Sequence, residues 1–116
     1  MLFRSTVFTH LDELEVEDAL FAAHRVRVAA WGAEMRMPDS SVIRVTAALG
    51  KALQTLVLAY QSVQAKDLDA ALKSAQRAYT LADDTDALNE GVTVYTDRVR
   101  SYAHGLANDI RSYAEE

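Results

Sequence analysis

Two side chains have the types and spacing for chemistry. Glu17 and His24 sit seven residues apart in a segment that otherwise alternates apolar residues at steps of three and four: Leu14, Glu17, Phe21, His24, Val28, Trp31 and Met35. On a helix such residues share one side. A carboxylate and an imidazole facing a bundle interior could ligate a metal or act as an acid–base pair. A di-metal bundle needs Glu-x-x-His pairs and further carboxylates on facing helices. The apolar stripes of the other helices offer none. The balance therefore favours a plainer reading, with Glu17 in solvent at the stripe's edge and His24 a half-buried, hydrogen-bonded histidine.

The remaining polar groups assemble no known chemistry. His10 precedes Glu13 by three residues near a helix start, and His104 lies off the apolar seam of its helix. Ser40 and Ser41 lack the pattern of a nucleophile beside a base. No glycine loop could cradle a phosphate. Asp12, Glu13, Glu15, Glu17 and Asp18 place five carboxylates in seven residues. They could attract a basic partner or a divalent cation, but they also complement the dipole of a helix start, which is the favoured reading. No metal or cofactor is expected. Cysteine is absent, which excludes disulfides and thiolate sites.

These residues need elements to hold them. The chain has 116 residues, half of them apolar and a quarter charged, with one proline and four glycines. Such sparse punctuation predicts one domain of a few long helices. After an apolar arm over residues 1–8, the first helix is expected over about 9–36, opened by Thr9 and Asp12 and ended near Pro38. The second, over 39–65, carries Val42, Val45, Leu49, Leu53, Leu56, Tyr60 and Val63 on one face. The third, over 67–83, starts at Asp67 as N-cap and buries Leu68, Ala71, Leu72, Ala75, Ala78, Tyr79 and Ala82. The run Asp83–Asp86 is the expected break. The fourth, over 86–114, carries Leu88, Val92, Tyr95, Val99, Tyr102, Leu106, Ile110 and Tyr113, the longest seam in the chain. Short connections make neighbours antiparallel. The expected fold is an all-α, up-down-up-down four-helix bundle, or two docked helical hairpins.

Charge and hydropathy bound the partners. The net charge is −5, from 12 basic and 17 acidic side chains, with no basic cluster beyond the Arg25/Arg27 and Arg98/Arg100 pairs. That disfavours nucleic acid. The longest apolar runs, Ala19–Ala23 and Leu56–Tyr60, are five residues, far short of the ~20 of a membrane span. Met1–Thr9 lacks the apolar core of a signal peptide, so a cytoplasmic protein is expected, with leaderless export left open. What remains is a non-enzymatic interaction or assembly module, self-associating as a homo-oligomer or binding a protein partner. Trp31 could anchor an interface or lie in the core, core being the commoner fate. Tyr95, Tyr102 and Tyr113 on the seam are the other candidate interaction residues.

Leu72–Asp83, reading LKSAQRAYTLAD, resembles the export-signal end of the Trp-x-Gly family of type VII secretion substrates. Those are small, acidic, cysteine-free helical hairpins that pair as dimers and carry a Tyr-x-x-x-Asp/Glu signal. Tyr79 and Asp83 match that spacing. The chain departs from the pattern in that Gly32 follows Trp31 directly, and in the long helix beyond the signal. The resemblance implies an exported helical protein.

Overall fold

A computed structural model describes residues 16–36, 41–88 and 93–115. They form four helices: α1 (Val16–Arg36), α2 (Ser41–Gln64), α3 (Leu68–Leu88) and α4 (Thr93–Glu115). There is no strand among the described residues, and none of these helices is long and apolar enough to cross a membrane. The expected arm, the Thr9–Asp12 helix start and the Pro38–Ser40 break lie outside the described residues.

The molecule is a four-helix bundle organised on α2. That helix packs against α1 on one side, and against α3 and α4 on the other; α3 in turn packs on α4. The reason is its composition. Leu49, Leu53, Leu56 and Val57 are wholly buried, and Val45, Ala52 and Ala59 join them. Their positions cover more than one face, so one neighbouring helix could not bury them all.

The α2–α3 turn is a Schellman motif. The Asp67 N–H donates to the Ser62 carbonyl (2.9 Å) and the Lys66 N–H to that of Val63 (3.0 Å). Lys66 takes the left-handed conformation, φ 63°, where glycine is usual. Asp67 then caps α3, its Oδ1 accepting the Ala70 N–H at 3.1 Å. This agrees with the cap read from sequence.

Alanine lines the inner side of α3: Ala71, Ala75, Ala78 and Ala82 are buried. The facing line of α4 is equally slight, with Thr96, Val99, Ala103, Ala107 and Ile110 buried. The described tyrosines of the expected helix-four seam lie at the edge of this contact. Tyr95, Tyr102 and Leu106 are partly buried and pack against the core from beside it. Backbones this close leave no room for rings between them. Tyr79, expected in the α3 stripe, faces outward for the same reason.

The run Asp83–Asp86 is not a break; α3 continues through it to Leu88. The cause lies on another helix. Arg100 on α4 donates to Asp86 at 2.5 Å and Asp83 at 3.2 Å, and also to Asp97. The Thr96 hydroxyl donates to Asp86 at 2.5 Å. Burial works against the charged guanidinium, but the hydrogen bonds of Asp86 and Asp97 outweigh it and raise the Arg100 pKa. Thr85, buried beneath, returns its hydroxyl to the Leu81 carbonyl at 2.7 Å. Carboxylates that would repel one another and end the helix are gathered around one cation.

Replacing Arg100 with Met keeps the aliphatic stem and removes the charge. Asp86, at 25% side-chain exposure, loses its main partner. We expect Arg100→Met to lower the unfolding free energy in urea by about 2 kcal/mol, with amide exchange accelerating first at Asp83–Leu88.

Candidate functional site

α1 carries two apolar lines, and periodicity alone does not say which is inward. The structure buries Val16, Ala19, Ala22, Ala23, Val26 and Ala30. The line expected to be inward, Glu17, Phe21, His24, Val28, Trp31 and Met35, is exposed at every one of these members, with His24, Val28 and Trp31 on the edge that borders α2. At 100° per residue the two lines lie on nearly opposite sides of the helix.

Side-chain size explains the choice. α1 and α2 run antiparallel and approach closely at Gly50. A Cβ there would sit 3.0 Å from Arg27 Cγ and 3.2 Å from Val26 Cγ1. Helices at that separation accommodate alanine and valine between them. Phenylalanine, tryptophan and methionine are left outside: Phe21 is 62% exposed, Trp31 64%, Met35 68% and Val28 49%. Trp31 is therefore not core. The Arg25 guanidinium lies over the Phe21 ring, 5.9 Å from its centroid.

Glu17 and His24 share this outward face. His24 is exposed and not half-buried. Seven residues on a helix separate the two by roughly 10 Å, too far for a direct hydrogen bond. Among the described residues no group of three His, Asp or Glu side chains could hold a metal ion. Tyr79 and Asp83 lie one turn apart on α3, both exposed, with Asp83 also accepting from Arg100. His104 is exposed beside Asn108, their side-chain nitrogens 3.2 Å apart. The Tyr113 side chain, His10, Glu13 and the carboxylates up to Glu15 lie outside the described residues.

Beside the outward face, the seam between α1 and α2 opens into two adjoining hollows of about 370 and 350 Å³. They share Arg27 and Trp31. The first is completed by Arg44, Ala47, Ala48 and Lys51 of α2, the second by His24, Val28 and Gln54. The Arg27 guanidinium donates to Gln54 Oε1 across the seam. A larger cleft of about 510 Å³ lies where the α2–α3 turn meets α4, lined among the described residues by Val63, Lys66, Leu68, Leu106, Asp109 and Ile110.

Sequence reasoning missed Arg44 and Lys51. A signal was present: α2 contains no Asp or Glu, and neither does α1 between Ala19 and Ala33. In a chain of net charge −5 that is a local reversal.

An exposed ring contributes little to folding. We expect Trp31→Ser to leave the urea midpoint within about 0.5 kcal/mol of the parent. Leu53→Ala, by contrast, cuts a wholly buried side chain and is expected to cost about 3 kcal/mol. Equal losses from the two would place Trp31 in the core.

No protein-family model matches the chain, and neither the curated proteins nor the solved structures contain a match to it.

Proposed function

We propose that the chain is a protein-interaction or assembly module, not an enzyme, that works in the cytoplasm and engages its partner through the outward face of α1. One observation carries this reading: four large apolar side chains, Phe21, Val28, Trp31 and Met35, stand exposed along one side of a helix whose other side is already packed. Large apolar side chains exposed together along one helix face are characteristic of interaction sites. A tryptophan near its centre has the character of an anchoring residue. Tyr95 and Tyr102 are partly buried against the bundle core and lie outside this surface.

The test is complex formation by the full chain, with its partner in the native source or with itself. Trp31→Glu is expected to abolish the complex, read by light scattering and co-purification, with circular dichroism and urea midpoint unchanged. A complex that survives Trp31→Glu intact would sink the reading.

A second reading, export of the type VII kind, draws on the outward placement of Tyr79 and Asp83. It predicts that Tyr79→Ala stays in the cell while the parent chain is exported. Equal secretion of both rejects it.

A further inference from the structure

We propose that the groove between α1 and α2 receives an acidic amphipathic helix of a protein partner. This rests on the α1 face being an interaction surface and adds the chemistry of what covers it.

The groove is cationic. Arg27 projects from α1, and Arg44 and Lys51 from α2, around the Trp31 ring. Among the described residues none of the three belongs to an ion pair. Arg27 makes a hydrogen bond to the neutral amide of Gln54, which leaves its charge uncompensated. Three such cations beside a solvent-exposed apolar strip call for carboxylates next to apolar side chains on whatever binds there.

The dimensions fit a helix. Met35 lies fourteen residues beyond Phe21 on α1, or roughly 21 Å along the axis. A partner helix of four turns would match that length, its apolar residues at i, i+3, i+4 and i+7 meeting Val28, Trp31 and Met35. Arg44 and Lys51 are seven residues apart, about two turns. Carboxylates two turns apart on the flank of the partner's apolar stripe would reach both, with Arg27 facing a third between them.

Charge also argues against the other occupants. In an antiparallel pair of α1 helices about a two-fold at Val28, equivalent flanks meet. That brings Arg27 of each copy beside the other, with two sets of Arg44 and Lys51 nearby. Like charges so placed oppose the contact. Nucleic acid and anionic lipid present extended anionic surfaces that would also meet the acidic remainder of a chain of net −5, whereas a helix of four turns touches the cationic groove alone.

Trp31 is the only tryptophan, so its fluorescence reports the groove directly. The probe is a capped 18-residue synthetic helix with leucine on one face and glutamate on both flanks; a second peptide replaces every glutamate with lysine. We expect saturable, blue-shifted Trp31 emission with the glutamate peptide and none with the lysine peptide. The Arg44→Glu/Lys51→Glu double variant, checked for unchanged fold by circular dichroism, should weaken the glutamate peptide at least tenfold and gain binding of the lysine peptide. The proposal is overturned if both peptides bind the parent chain alike, or if the double variant keeps its affinity for the glutamate peptide. It is also overturned if sedimentation shows the free chain to be a dimer that Trp31→Glu dissociates, or if phosphatidylserine vesicles shift Trp31 and the peptide does not. Should Trp31→Glu destroy the native complex while charge reversal leaves it intact, the interaction surface stands and only its acidic occupant falls.

Discussion

Close approach between small side chains is the constraint on which this bundle depends. Gly50 lets α1 down onto α2, and the alanines of α3 do the same for α4. Dispersion and burial grow with the number of atoms brought into contact, so tightly spaced backbones stabilise interfaces that contain few large residues. The same geometry excludes bulk. Every ring has to sit beside an interface or outside it. Tyr95 and Tyr102 take the first course, Trp31 and Phe21 the second. The exposed face of α1 is thus a consequence of how its other face packs, and the candidate site and the core share one cause.

That constraint also marks the limit of what the sequence discloses. Periodicity shows that α2 is a buried helix, because leucine and valine leave it no alternative inner face. For α1 two lines of residues satisfy the helical period equally well, one small and one large. A rule that puts the larger apolar residues inside selects the wrong line. The deciding quantity is the separation of α1 from α2, and Gly50, some twenty residues further along the chain, sets it. Glu17 and His24 looked like polar intrusions on a core stripe only while that stripe was assigned inward. On an outward face a carboxylate and an imidazole need no partner.

The acidic run on α3 was illegible for a related reason. Four consecutive residues with three aspartates read locally as a helix end, since carboxylates near a C-terminus oppose the dipole. Arg100 overrides that local tendency from seventeen residues away in the case of Asp83 and fourteen in the case of Asp86. Local propensity differences of well under 1 kcal/mol per residue yield to a charge-assisted cluster of this kind, which is worth more. The cap at Asp67 was legible because its partner, the Ala70 N–H, is only three residues on.

The distribution of charge points furthest toward function. Arg100 shows how the α3–α4 half treats its carboxylates: it surrounds a cation with them and satisfies it internally. Among the described residues, Arg27, Arg44 and Lys51 of the α1–α2 half belong to no such ion pair. Arg27, Arg44 and Lys51 line an open groove from which Asp and Glu are missing over the whole of α2 and most of α1. Pairing Arg27 internally would have taken only a Glu in place of Gln54, which already accepts from it, a substitution with little cost to the helix. One set of charges is satisfied within the fold, and another stands beside exposed aromatic surface without an ion pair among the described residues. That asymmetry is what the proposed acidic, apolar partner helix would complete.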